Sequence, residues 1–306
     1  MATVLVTGIG GFVGPFLESE LRAHGYQVIG LERRPSTSPH IHQADITDPE
    51  QVGEIVSSTA PDAIIHLAGF SSVAKSWADR ELVKKINVDG TENLLRAAMK
   101  LPAQPRVVII SSAEAYGPPA KVPIDEAPPL KATSPYGQSR VAQERLSLDI
   151  YGEVVISRSF NHTGPGQPPI FSVPSFIQQA LLTAAGKQSK VKVGNLDAIR
   201  DFSDVRDVVR AYRLLMERGR PQQVYNVCSG IGRPMRDILA RILQLTGLDA
   251  ADVEIDPERL HPSDIPALIG DNTKLKLETD WRQTFDFLDK TLPDSVKYAQ
   301  THAVST

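Results

Sequence analysis

The sequence predicts an α/β protein in which a doubly wound parallel sheet, covered by helices on both faces, carries a smaller C-terminal lobe. Short apolar runs alternate with longer amphipathic stretches along most of the chain, the rhythm of strands joined by helical crossovers. Runs such as Val107 to Ile110 and Val154 to Ile156 are apolar at consecutive positions, as strands buried on both faces must be. The first strand passes through a cluster of glycines directly into a helix. A chain of 306 residues holds about two domains, or one large domain with an added lobe.

Ala2 to Val6 is a β-favouring run, followed by Thr7-Gly8-Ile9-Gly10-Gly11-Phe12-Val13-Gly14 and then by LESELRAHG, which reads as an amphipathic helix. Gly8 permits a tight turn, Gly11 removes a Cβ that holds a pyrophosphate off the backbone, and Gly14 lets the helix lie against the strand. The helix N-terminus attracts phosphate, so a Rossmann-type dinucleotide site is expected here, with Phe12 and Val13 in its turn. Tyr26 to Leu31 is the second strand, ending at Glu32. An acidic residue about 20 positions beyond the glycines suits a ribose 2′-hydroxyl and NAD, and Glu32 reads equally well as a solvated strand end. Arg33 and Arg34 behind it suit the extra phosphate of NADP. The expected cofactor is therefore NAD(H) or NADP(H).

Asp45, with Ile46 after it, is a candidate adenine contact or the start of a turn. Pro61 to Gly69 is a buried strand, and Leu67, Ala68 and Gly69 at its end suit the adenine ribose or the pyrophosphate. His66 inside this apolar run reads as a satisfied core histidine. Further helices are expected over 79–100, 135–150, 173–185, 204–217 and 235–245, and strands over 106–112, 153–158 and 223–227. Proline and glycine thicken over 117–135 and 164–169, which marks loops near strand ends, where sites gather. Residues 1–158, with 203–228 returning to them, are expected to form the dinucleotide-binding domain, and 159–202 with 229–306 the substrate-binding lobe.

Hydrophobic residues at 41% and charged residues at 23% suit a globular protein with a real core. A net charge of -3 without a basic run argues against nucleic acid or a membrane surface as partner. The single cysteine, Cys228, excludes an internal disulfide and a multi-cysteine metal site, and VYNVCSG around it suggests a packed thiol. No metal is expected. No apolar run reaches membrane-spanning length and the N-terminal stretch has no basic lead, so a cytoplasmic location is expected.

Two segments carry chemistry. Ser111-Ser112-Ala-Glu114-Ala-Tyr116 ends a strand, and Ser134-Pro-Tyr136-Gly-Gln-Ser-Arg140 opens a helix. A tyrosine and a cation four residues apart share one helical face, and the positive charge favours the phenolate. With a serine hydroxyl from the neighbouring strand they form an acid/base site suited to moving a proton while a nicotinamide moves a hydride.

TGIGGFVG, the HLAG strand end, SSAEAYG, the tyrosine helix and SFNHTGPGQ occur in the order found in the extended short-chain dehydrogenase/reductases, and the chain resembles that family over nearly its whole length. The resemblance implies a catalytic trio of Ser112, Tyr136 and the residue at 140, with Glu114 at a position where dehydratases keep an acid/base group. Position 140 is arginine where the family carries lysine; it keeps the charge and cannot give up a proton. The second half is similar to GDP-sugar reductases and dehydratases of this family, which implies a GDP-sugar substrate with Ser72, Ser112, Asn161, Arg200, Arg259 and His261 as candidate contacts. His261 stands where these relatives carry arginine. The implied reaction is NAD(P)H-dependent reduction of a C4 ketone to GDP-D-rhamnose, favoured over dehydration by the shorter chain. Dehydration or epimerisation with a recycled cofactor, and dinucleotide binding without turnover, stay open as alternatives. A homodimer is implied by the resemblance alone.

Overall fold

The computed structural model describes residues 1–259 and 265–302. The first half runs β1 (Thr3–Thr7), α1 (Gly14–Ala23), β2 (Gln27–Glu32), β3 (Ile41–Gln43), α2 (Pro49–Thr59), β4 (Ala63–His66), α3 (Val73–Ser76) and α4 (Arg80–Lys84). A π-helical turn, Lys85–Asp89, joins α4 to α5 (Gly90–Met99), and β5 (Arg106–Ser112), α6 (Pro135–Ile150) and β6 (Val154–Ser159) follow. The second half adds β7 (Asn161–Thr163), α7 (Ser172–Ala184), β8 (Val191–Val193), β9 (Ile199–Asp204), α8 (Val205–Arg218), β10 (Gln223–Val227), β11 (Gly232–Pro234) and α9 (Met235–Thr246). After these come β12 (Val253–Ile255), β13 (Ala267–Leu268), α10 (Thr273–Thr279) and α11 (Leu292–His302).

Seven strands form a parallel sheet in the order β10-β6-β5-β4-β1-β2-β3. Alternate residues feed opposite cores: Val4 and Val6 pack with Leu17, Leu21 and Tyr212 on one face, while Leu5 packs with Ile64, Leu94 and Ile109 on the other. Burial on both faces is why these strands read as unbroken apolar runs. The strand order reverses between β1 and β4, so their carboxyl ends diverge into a crevice where ligands of such sheets bind.

The second half builds its own small sheet, β11-β9-β13 with β7 on β9, and a β8–β12 pair. α7, α9 and α11 close over a third core containing Phe176, Phe202, Ile238 and Phe287. These strands escape sequence reading because most span two or three residues, too few to show a period. Leu275 and Trp281, around α10, cross back into the first core beside α8. The helix expected over 79–100 is broken by the π turn, which buries Asn87 against Phe70 and Ser139. β5 and β10 occupy their expected ranges. Among the described residues no helix is long and apolar enough to cross a membrane.

His66 is the satisfied core histidine expected. Its Nδ1 lies 2.7 Å from Thr7 Oγ1 and its Nε2 2.9 Å from Thr91 Oγ1. Thr91 donates its hydroxyl proton to the Asn87 carbonyl at 2.7 Å, so Nε2–H donates to Thr91 and Nδ1 accepts from Thr7 in a neutral ring. Burial, and after it the charge of Arg140, lowers the His66 pKa from 6.5 to about 3. The unfolded chain binds this proton near 6.5 and the folded one does not, so stability is full above that value and falls as pH drops towards 3. The slope approaches about 1.4 kcal/mol per pH unit for one such group. Urea unfolding between pH 6.5 and 4.5 should show a shallower loss in His66→Gln than in the wild type; equal slopes would remove His66 as its source.

Candidate active site

A cleft of about 1440 Å³ opens over the carboxyl ends of β1, β2, β4, β5 and β6. It exceeds the roughly 300–1,000 Å³ of an ordinary small-molecule site and has room for a dinucleotide beside a second ligand.

The glycine turn fits a dinucleotide. Gly8 has φ +69°, and a Cβ there would stand 2.7 Å from Ala68 N, so only glycine lets β1 close on the end of β4. A Cβ at Gly14 would lie 1.8 Å from Ile9 O; this residue shapes the turn from beneath rather than lining the cleft. Gly11, Phe12 and Val13 line the cleft at the N-terminus of α1, which no side chain caps. A Cβ on Gly11 would face only Gly8 O at 3.2 Å and otherwise fill the phosphate cradle.

Glu32 is not a solvated strand end. Its Oε2 accepts from Gly10 N at 2.9 Å and its Oε1 from Arg33 N at 3.1 Å, with Arg34 Nε 3.6 Å away. Arg34 completes the clamp by donating to Gly10 O at 2.8 Å. Arg33 lines the cleft beside it. Asp45 both starts a turn and lines the cleft with Ile46: Oδ1 accepts from Thr47 N at 2.9 Å and Thr47 Oγ1 at 2.8 Å, and the Thr47 bonds hold its carboxyl below the usual range.

The second half of the cleft is built on α6. Ser134 caps it by accepting from Gly137 N at 3.0 Å and Pro135 sets its first turn, which brings Tyr136 to the cleft wall one turn before Arg140. The Arg140 Cζ stands 5.2 Å from the centre of the Tyr136 ring. Its guanidinium donates to Ile110 O at 3.1 Å, Gln143 Oε1 at 2.8 Å and Phe70 O at 3.3 Å. Ser112 ends β5 and accepts from Glu114 N at 3.2 Å, so its hydroxyl and the Glu114 turn face the same space.

Behind this wall a buried ion pair fixes α6 to the sheet. Glu144 accepts from Arg158 Nη2 at 2.8 Å and from Ser111 Oγ at 2.5 Å, and Arg158 Nη1 donates to Tyr116 OH at 3.1 Å. Tyr116 in turn donates to Asn226 Oδ1 at 2.7 Å, and burial pushes its phenol pKa up. It therefore serves as scaffold. Cys228 is buried as expected, its thiol pKa raised by burial.

Leu67, Ala68, Gly69, Ser72, Asn161 and Arg200 also meet at the cleft. Ser72 caps α3 through Lys75 N at 3.3 Å, and Arg200 Nη1 donates to Ile265 O at 2.7 Å. Arg259 is exposed, does not line the cleft among the described residues, and pairs at 3.4 Å with Asp256, just before its own short turn. His261 lies outside the described residues. Sequence reading missed Gln143, Trp77 and the pair Ser159 and Tyr212, whose hydroxyls meet at 2.7 Å in the cleft wall. Only Gln143 left a signal, its place three residues after Arg140 on the same helical face.

The family model described as GDP-mannose 4,6 dehydratase matches residues 5–291. GDP-6-deoxy-D-mannose reductase of Pseudomonas aeruginosa is 33% identical, with 91% of each chain covered, and GDP-mannose 4,6-dehydratase of Vibrio cholerae is 26% identical over 98% of this chain and 95% of its own. Among solved structures, RMD from Pseudomonas aeruginosa complexed with NADPH superimposes with a TM-score of 0.87 at 30% identity, covering 98% of this chain and 99% of that one. UDP-glucose 4-epimerase of Thermotoga maritima with UDP-glucose gives a TM-score of 0.88 at 27% identity over the same shares. The clamped glycine turn, the Tyr136 helix and these matches converge: the chain belongs to the GDP-mannose 4,6-dehydratase family of nucleotide-sugar enzymes, within the extended short-chain dehydrogenase/reductases.

Proposed function

We propose that this protein reduces the C4 ketone of GDP-4-keto-6-deoxy-D-mannose to GDP-D-rhamnose. The observation that carries the proposal is Tyr136 at the cleft wall with a fixed guanidinium 5.2 Å from its ring and Ser112 on the same cleft. Identity of 33% to a GDP-6-deoxy-D-mannose reductase supports this reaction among those of the family. A bound reduced nicotinamide supplies the hydride. Tyr136 donates its proton to the C4 oxygen as the C–H bond forms, Ser112 hydrogen-bonds that oxygen, and the charge of Arg140 stabilises the phenolate left behind. Asn161 and Arg200 face the region where the diphosphate of the substrate would lie.

Glu114 on the cleft favours one second reading, 4,6-dehydration, in which the cofactor is restored each cycle. NADPH is the preferred reductant in our reading: the Glu32 oxygens are engaged by Gly10, Arg33 and Arg34 N–H groups, and Arg33 flanks the space beyond them. A homodimer through α6 and the α4–α5 segment before it is implied by the family resemblance, and Leu82 on α4 and Met99 at the end of α5 are exposed there.

Tyr136→Phe should lower kcat by on the order of 10²–10⁴-fold with NADPH binding kept, and near-wild-type turnover would take Tyr136 out of the chemistry. Product and oxidised cofactor should appear in equal amounts; product without cofactor consumption would point to the dehydratase reading. Arg33→Ala should raise the Kd for NADPH about tenfold, equivalent to about 1.4 kcal/mol, and leave that for NADH nearly unchanged. Equal losses for both cofactors would end the NADPH preference.

A further inference from the structure

We infer that Gly69 and Gln143 are positioning residues that hold the guanidinium of Arg140 in its place in the site. The inference rests on the reading of Arg140 as part of the proton-transfer site. An arginine brings a planar fork where a lysine brings a single nitrogen, and the fork needs both room and acceptors set in its plane. Gly69 supplies the room. A Cβ there would stand 2.8 Å from Arg140 Nη2 and 3.3 Å from Nη1, with Asn87 Oδ1 at 3.1 Å. Its φ is not among the positive values of this chain, so the backbone does not demand glycine; the side-chain space is what the guanidinium takes up.

Gln143 supplies the acceptor that is a side chain. It is fully buried, accepts from Nη1 at 2.8 Å, and is oriented because its own amide donates to Thr91 Oγ1 at 2.7 Å, which donates onward to Asn87 O. The other two acceptors, Ile110 O and Phe70 O, belong to the backbone of β5 and of the loop that follows β4. Every recorded bond of Arg140 is made by the two terminal nitrogens, while Nε is buried without a partner. The anchoring thus uses the part of the side chain that lysine does not have. With the fork held at three points, Arg140 stays in the cleft wall and keeps its charge beside Tyr136.

The test is a pair of double-mutant cycles read by the Kd for NADPH, from quenching of protein fluorescence, which needs no sugar substrate. Gly69→Ala and Gln143→Leu should each weaken NADPH about tenfold when residue 140 is arginine, and each by less than about threefold when it is lysine. Where Gly69→Ala fails to fold, recovery of folding and binding in Gly69→Ala with Arg140→Lys is the expected result. Equal losses in both backgrounds would mean that the new methyl group meets the cofactor itself, and would overturn the inference, as would two silent variants. Loss of the reductase reading would appear separately, as absence of turnover with GDP-4-keto-6-deoxy-D-mannose while both binding cycles stand.

Discussion

The buried pair of Glu144 and Arg158 is the constraint on which the geometry of the cleft depends. It joins α6 to β6, while Ser111 Oγ on the same carboxylate joins α6 to β5. A buried ion pair earns little stability of its own, yet removal of one partner costs about 3–5 kcal/mol because the other charge is left uncompensated. Arg158 also reaches Tyr116 and the Glu126 carbonyl, so its donors are met on several sides. The pair therefore sets one register of helix against sheet. Tyr136 lies two turns before Glu144, and Ser112 directly follows Ser111, so the register that satisfies the charges is also the one that brings both hydroxyls to the cleft.

How much of this was legible in the sequence follows from which groups are buried. The parallel strands announced themselves because both of their faces are apolar. The glycine turn did so because Gly8 and Gly14 sit where backbone atoms crowd. α6 was placed by its cap and its tyrosine, but the partners of its inner face were not, since that face carries Tyr136, Arg140, Gln143, Glu144 and Ser147, a polar stripe that resembles a solvated one. Asn87 was hidden for a related reason: a π turn brings it inward from a stretch that reads as regular helix. The second lobe was legible only through its helices and its resemblance to relatives. The pairing of Arg259 with Asp256 was not legible, because nothing in the pattern distinguishes a cation that faces a ligand from one tied to a neighbour three positions away.

Arginine at position 140 changes the character of the proposed proton-transfer site more than its charge. A lysine can lose its proton and turn about its stem; the guanidinium does neither here, tied to two backbone carbonyls and an amide. Through Gln143 and Thr91 the same tie continues to His66 and Thr7 at the centre of the sheet. The Tyr136 wall of the cleft is thus continuous with the hydrogen-bonded, neutral His66 at the centre of the sheet.

The clamp at Glu32 bears on how specificity is read from related chains. A carboxylate at the end of the second strand is commonly weighed as a sign of which cofactor is chosen, but here, while lining the cleft, it also accepts from the Gly10, Arg33 and Arg34 N–H groups and so ties the glycine turn to the end of β2. Exchanging it to redesign coenzyme choice would loosen the cradle for every dinucleotide alike.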